Sequence, residues 1–320
     1  MSIHKISMPV MLLLILFSLI LGGCAPSQGE SVTLRLALLP VLDTLPVHVA
    51  LEEGYFEEEG ITVELIPVSS APERDQLLGA GKADGMLNEI VSTMLFNQDK
   101  VRLGIVRIAR AAASDAPLFR ILASGESGIT TVDQLKGVPI GISEGTVIEY
   151  VTDRLLQEED FTEEEIVKIP VPKIPDRLAL LGSGEIQAAV LPDPLSSLAV
   201  QNGAVVVIDD SRHPAYGLSV FSFRTEVLEE HPAAVRAFTA AVEQAVEAIN
   251  KDPGRYADLM AAKELVPPPV MGDYQVQQFP TAGVPTEGQW QDVLDWARDA
   301  GLITGDVPYQ ESVFDDYLPR

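Results

Sequence analysis

The stretch QLLGAGKADGMLNE, residues 76–89, decides how the rest of the chain is read, because LALLGSGEIQAAVLPD, residues 178–193, repeats its plan. Both carry Leu-Leu-Gly, a small residue and a second glycine, then a short apolar run and a carboxylate. A helix closed by glycine and followed by a buried strand has this signature, since glycine enters the left-handed region without a Cβ clash. Ahead of the first copy stand a strand, VTLRLALLP (32–40), an amphipathic helix, LPVHVALEEGYFEEEG (45–60), closed at Gly60, and a strand, ITVELIPV (61–68). Ahead of the second stand a strand, VPIGIS (138–143), a helix, GTVIEYVTDRLLQEE (145–159), and a strand, EIVKIPV (165–171). The order β-α-β-α-β thus occurs twice and predicts an α/β chain of two lobes, each a doubly wound sheet with flanking helices.

The chain should cross between lobes twice, near PLFRILAS (117–124) and near YGLSVFSFR (216–224). This assigns 32–120 and 219–320 to the first lobe and 121–218 to the second. Residues 231–260 read as a long helix broken at Pro253 that returns to the first lobe, and TEGQWQDVLDWARDAGLI (286–303) as a last helix.

At 320 residues, 47% hydrophobic and 22% charged, the chain is globular and long enough for two domains. It has 22 Lys and Arg against 47 Asp and Glu, a net charge of −25. Such a surface repels nucleic acid and anionic lipid, so no nucleic-acid partner is expected.

Residues 1–23 read as an address. A lone Lys5 precedes an apolar run of 14 residues from Val10, which suits a signal peptide and is short for a bilayer span. The run ends in Leu21-Gly22-Gly23-Cys24, which resembles the bacterial lipobox. Cys24 is the expected lipidation site, residues 24–31 the lipidated tether, and the extracytoplasmic face of the cell membrane the expected location, with the membrane reached through the lipid anchor. Cys24 is the single cysteine, so no disulfide, thiol nucleophile or cysteine metal site is available. His48, His213 and His231 show no metal spacing, and no metal or cofactor is implied.

In open α/β sheets ligands bind beyond the carboxyl ends of the strands. Two lobes facing each other with these ends make a cleft. The residues expected there are Leu42, Asp43 and Thr44 after the first strand; Asn88, Glu89 and Ile90 after the first repeat; Ser143, Glu144, Gly145 and Thr146 after VPIGIS; Asp193 after the second repeat; and Tyr216 near the second crossing. Each has an ordinary reading too. Asp43 or Thr44 could cap the helix carrying Pro46, Glu144 could oppose a helix dipole, Asn88 and Glu89 could be solvated, Asp193 could shape a turn, and Tyr216 could pack. No nucleophile–base pair stands at readable spacing, so an enzyme is the lesser alternative and a ligand-presenting sensor another.

LEEGYFEEEGITVEL, LLGAGKADGML, TVDQLKGVPIGIS and GSGEIQAAVLPDP together resemble the SsuA/THI5-like (NMT1) group of solute-binding proteins, over roughly Leu34 to Asp252. The resemblance implies a type II periplasmic-binding-protein fold, a clamshell that closes on its ligand, a monomer, and an ABC permease as partner. The group's ligands include nitrate, alkanesulfonates, taurine, thiamine-precursor pyrimidines and riboflavin. Asp43, Glu89, Glu144 and Asp193 make the expected cleft rich in acceptors, so a neutral or cationic ligand with N–H or O–H donors fits better than an anion. Riboflavin is the first expectation, its benzenoid edge against Leu42, Leu45 and Ile90. A thiamine-precursor pyrimidine follows, and a sulfonate, taurine or nitrate returns if Arg110 faces the cleft.

Overall fold

The computed structural model describes residues 31–319. The signal segment, Cys24 and all of the tether but Ser31 lie outside the described residues.

The first half runs β1 (Val32–Leu38), α1 (Leu45–Glu52), α2 (Tyr55–Glu58), β2 (Ile61–Pro67), α3 (Ala71–Gly79), β3 (Gly85–Asn88), α4 (Ile90–Asn97) and β4 (Leu103–Ala111). The second runs β5 (Phe119–Ala123), β6 (Ile140–Ile142), α5 (Val147–Gln157), β7 (Lys168–Pro170), α6 (Ile174–Ser183), β8 (Ala188–Pro192), α7 (Leu195–Gln201) and β9 (Val205–Asp209). Then come β10 (Leu218–Arg224), α8 (Thr225–Glu230), α9 (Pro232–Lys251) and, after several short turns, α10 (Glu287–Asp299). The expected helix over 45–60 is two pieces, because Gly54 sits at φ +80° and breaks it. The break at Pro253 occurs as expected. Helices α4 and α7 and strand β9 had not been read from the sequence. Strand β9 lies at a sheet edge and carries no strict alternation, and both helices are too short to show a period.

Among the described residues the strands form two five-stranded sheets, β2-β1-β3-β10-β4 and β7-β6-β8-β5-β9. In each, three strands are parallel and the fourth, β10 or β5, is antiparallel to both its neighbours. That fourth strand follows a crossing from the other sheet, which is why its direction is reversed. The crossings span 112–118 and 210–217 and lie side by side, with the Ala112 N–H donating to the Gly217 carbonyl at 2.7 Å. The buried Asp210 carboxylate accepts from the N–H groups of Leu118 (2.8 Å) and Phe119 (3.2 Å). A Cβ on Gly217 would lie 1.9 Å from Asp210 Oδ2, so glycine lets the carboxylate reach across. Burial pushes the Asp210 carboxyl up to about 7, against those two N–H groups.

Helix α9 packs on the first sheet. Its Phe238 ring meets Phe56, Phe221 and Phe223 at 5.6, 5.4 and 5.2 Å, which makes an aromatic centre for that core. Helix α10 packs against both α4 and α5, and so touches elements of both lobes. Its Trp290 and Trp296 are buried among Ile90 and Met94 on one side and Tyr150 and Val151 on the other. Trp296 Nε1 donates to Asp153 at 2.9 Å, and Asp292 accepts from Tyr150 at 2.6 Å.

Candidate functional site

The repeat builds the site. Helices α3 and α6 start with Pro72 and Pro175 in the first turn, where a missing N–H costs nothing. They end at Gly79 and Ser183, and the chain then turns out of each at a left-handed glycine, Gly81 (φ +67°) and Gly184 (φ +76°). Two residues after the prolines stand Arg74 and Arg177, 3% and 0% exposed. Arg74 Nη1 donates to the Leu87 carbonyl at 3.2 Å, and Arg177 Nε to the Val190 carbonyl at 2.7 Å. Each arginine therefore ties its helix to the end of the next strand and sets its guanidinium at the strand's carboxyl edge. Sequence reasoning had missed both, although Pro-x-Arg stands at the same distance before Leu-Leu-Gly in each repeat.

Both arginines line one cavity between the two sheets, of about 90 Å³. Its walls are largely apolar, with Leu39, Val41 and Leu87 on one side and Phe119, Ile174 and Pro192 on the other. Its remaining polar residues are Asp43, Asn88 and Glu89 from the first lobe and Ser143 and Thr146 from the second.

The two arginines differ in their partners. Glu89 Oε1 stands 3.6 Å from Arg74 Nη2, and Glu89 Oε2 caps α4 by accepting the Ser92 N–H at 2.9 Å. The position matching Glu89 in the second repeat is Pro192, which offers no carboxylate. Arg177 Nη1 donates to the Val171 carbonyl at 2.7 Å, and its Nη2 is buried with no hydrogen-bond partner. Burial alone lowers the Arg177 pKa to about 10. Burial raises Glu89 to about 7, with Arg74 opposing. Glu89 Oε1 and Ser143 Oγ are also buried without a hydrogen-bond partner.

The structure distributes the expected residues unevenly. Asp43, Asn88, Glu89, Ser143 and Thr146 line the cavity. Asp43 already accepts from Ser219 Oγ at 2.6 Å and stands 3.5 Å from Arg110. Asn88 donates to Thr93 Oγ1 at 2.8 Å and accepts from Ser222 Oγ at 2.7 Å. Thr146 caps α5 through the Ile148 N–H. Leu42, Thr44 and Ile90 are buried beside the cavity without lining it, and Leu42 belongs to the first core. Glu144 is exposed, and Gly145 gives its N–H to Glu149 at 2.7 Å. Tyr216 lies off the cavity, its hydroxyl donating to Glu158 at 2.6 Å and its ring stacked on His213.

Asp193 lines a second, more polar cavity of about 450 Å³. Arg110, at the end of β4, reaches across to it at 3.2 Å, and Tyr274 donates to the same carboxylate. Burial works against the Arg110 charge, and Tyr274, Asp43 and Asp193 more than offset it, so its pKa is raised. Arg110 thus forms an ion pair between the lobes.

Among the described residues no group of three or more His, Cys, Asp or Glu could hold a metal ion. No helix among them is long and apolar enough to cross a membrane.

The chain is 23% identical over 311 residues to a Saccharomyces cerevisiae 4-amino-5-hydroxymethyl-2-methylpyrimidine phosphate synthase, covering 90% of this chain and 88% of that one. It is 24% identical over 276 residues to an ABC transporter periplasmic binding protein of Brachyspira hyodysenteriae, covering 80% and 76%. Its fold superposes with a TM-score of 0.75 on the alkanesulfonate-binding protein SsuA of Xanthomonas axonopodis pv. citri, at 18% identity over 89% of this chain and 99% of that one. The two-sheet architecture is therefore that of the type II periplasmic binding proteins. The NMT1/THI5-like family model matches residues 42–256, and the chain belongs to that family.

Proposed function

We propose that this chain is the extracytoplasmic solute-binding component of an ABC importer, tethered to the cell membrane through a lipid on Cys24, and that it hands a small heterocyclic solute to its permease. The observation that carries this reading is the interlobe cavity, apolar on its faces and lined by Glu89 from one lobe and Arg177 from the other, each of which has a buried side-chain atom, Oε1 and Nη2, without a hydrogen-bond partner. A flat ring between apolar walls, with a donor toward Glu89 and an acceptor toward Arg177, matches this lining. An aminopyrimidine has that form, and a volume of about 90 Å³ suits one ring.

Riboflavin, preferred on the count of acidic residues, is the second reading. Asp43 and Asp193 are already held by Arg110 and its neighbours, Glu144 is exposed, and three fused rings with a polyol chain exceed this cavity unless the lobes part. A synthase reading of the kind carried by the yeast relative lacks a nucleophile–base pair among the residues lining the cavity.

The test is calorimetry and thermal shift of the purified mature chain with a 4-aminopyrimidine, riboflavin, taurine, an alkanesulfonate and nitrate. A ligand of the folded state raises the melting temperature by mass action. Heat and stabilisation from the aminopyrimidine alone are expected. Binding of riboflavin without the aminopyrimidine would overturn the one-ring assignment, and turnover of any of them would overturn the transport role.

A further inference from the structure

We infer that the edge of the first sheet from which the chain leaves toward Cys24 is an interaction surface for an anionic bilayer, and that a row of cations along it holds the anchored protein with this edge on the membrane and the interlobe cleft turned away. The inference rests on the lipid anchor proposed above and goes further by naming the surface that meets the lipid headgroups.

Main-chain hydrogen bonds lace the row together. Strands β1, β3 and β4 begin at this edge and β10 ends there, with Arg224 opposite Leu103 and Phe223 opposite Gly85. The Asp84 N–H donates to the Arg35 carbonyl at 2.8 Å, the Arg224 N–H to the Asp84 carbonyl at 3.0 Å, and the Thr225 N–H to the Arg102 carbonyl at 2.9 Å. Arg35, Arg224 and Arg102 therefore follow one another along the edge, and Lys82 and Lys100 stand in the turns that lead into β3 and β4. Lys82, Lys100 and Arg102 are exposed, and among the described residues none of them has a carboxylate at ion-pair distance. The side chains of Arg35 and Arg224 are 38% and 27% exposed and share one carboxylate, Asp84, at 2.7 and 3.4 Å. Arg224 also stands 3.9 Å from Glu226, and its Nε has no hydrogen-bond partner. Against these five cations the same stretches set Asp84, Asp99 and Glu226, so cations are in excess here although the chain as a whole carries −25.

The other corner of the edge has the opposite sign. Strand β2 begins at Ile61, which pairs with Val32, and the exposed Glu57, Glu58 and Glu59 stand just ahead of it. The sheet order β2-β1-β3-β10-β4 puts those acids on one side of β1 and the cations on the other. The edge is thus polarised about Val32, the point from which the chain runs to its anchor. Cys24 stands eight residues before Val32, and a chain of that length spans at most about 30 Å, so this edge is kept near the bilayer. Cations close to an anionic surface are drawn to it, while charges more than a Debye length of about 8 Å away are screened. The anchor therefore supplies the proximity that the general acidity of the chain opposes, and the polarised edge then tilts its basic side down and its acidic side up. The interlobe cavity lies at the carboxyl ends of the same strands, at the far side of the sheet, and stays open to solutes in this pose.

The single thiol allows a direct test. The mature chain is coupled through Cys24 to a maleimide-headgroup lipid in vesicles of phosphatidylcholine, alone or with phosphatidylglycerol as about a third of the lipid. Trypsin cleavage after Lys100 is measured against cleavage after Lys173, an exposed residue at the carboxyl edge of the second sheet. The ratio should fall by about threefold or more on the anionic vesicles. It should recover at about 0.5 M potassium chloride, where the screening length is a few ångströms. The double substitution Lys82→Gln with Arg102→Gln alters exposed side chains, keeps the Lys100 cleavage site and should remove the protection. An equal ratio on the two kinds of vesicle, or protection that survives either the salt or the substitutions, would overturn the inference. The coupling is chemical, so this outcome is separate from the fate of the anchor proposal: a chain that is not lipidated in the cell would end that proposal and leave the vesicle result standing.

Discussion

Arg74 and Arg177 hold the same place in the two repeats and donate to equivalent main-chain oxygens, Leu87 at 3.2 Å and Val190 at 2.7 Å, yet only Arg74 has a carboxylate beside it. Two lobes built on one plan thus present different charge to the space between them, a guanidinium beside a carboxylate in the first and a guanidinium without one in the second.

Replacing the two arginines should have unequal costs. Arg74→Met leaves Glu89 buried without its cation, and removing one partner of a buried pair costs about 3–5 kcal/mol. Arg177→Met strands no acid and loses only hydrogen bonds to two carbonyls, about 1–3 kcal/mol. Urea unfolding of both variants at pH 8 should separate them, and the Arg74→Met deficit should shrink at pH 5, where Glu89 becomes protonated. Equal losses at both pH values would contradict the asymmetry.

Glu89 also sets a pH dependence. Its folded pKa, about 7, lies above its ordinary value of 4.5 because burial disfavours the charged form. The folded state then holds a proton that the unfolded state has released, so stability is full below about pH 4.5 and falls as pH rises to about 7. The fall amounts to about 3 kcal/mol for a shift of this size. Asp210, also raised to about 7 by burial, acts in the same sense. Unfolding midpoints from pH 4.5 to 7.5 should decline in the wild type and decline less in Glu89→Gln. An identical slope in the variant would remove Glu89 as a source.

The pair Arg110–Asp193 joins the lobes at 3.2 Å, with Asp43 and Tyr274 completing the cluster. Asp193→Asn weakens that latch without adding bulk. Small-angle scattering of the ligand-free variant should give a larger radius of gyration than the wild type, and saturating ligand should bring the two together. Matching radii without ligand would mean that the pair does not hold the lobes closed.

Anchoring is tested at Cys24, which lies outside the described residues. Cys24→Ser should abolish lipid labelling and leave an uncleaved or soluble product. A cleaved variant that still partitions into detergent would end the lipoprotein proposal.

The elements were legible because they rest on local rules. The glycines at 79, 81, 182 and 184 and the apolar runs after them marked two helix–strand junctions, and the structure has α3 ending at Gly79 and α6 at Ser183. Asn88, Glu89, Ser143 and Thr146 were placed at strand ends on the same logic and do line the cavity. The role of helix α10 was not legible, since its amphipathic pattern fixes that one face is buried and not against which lobe. Its two tryptophans meet residues from both halves of the chain.

The sequence by itself determined the repeat, the element order and hence the two-lobed α/β fold, because backbone conformation and the period of burial are properties of neighbouring residues. Only the tertiary structure decided what each charge does. Asp43 and Asp193 read as acceptors for a ligand, and the fold sets Arg110 between them; Arg177 was not read as a site residue, and only the fold buries it with its Nη2 lacking a hydrogen-bond partner. A buried charge is defined by its partners within a few ångströms, and in a folded chain those partners come from distant positions that no local pattern records.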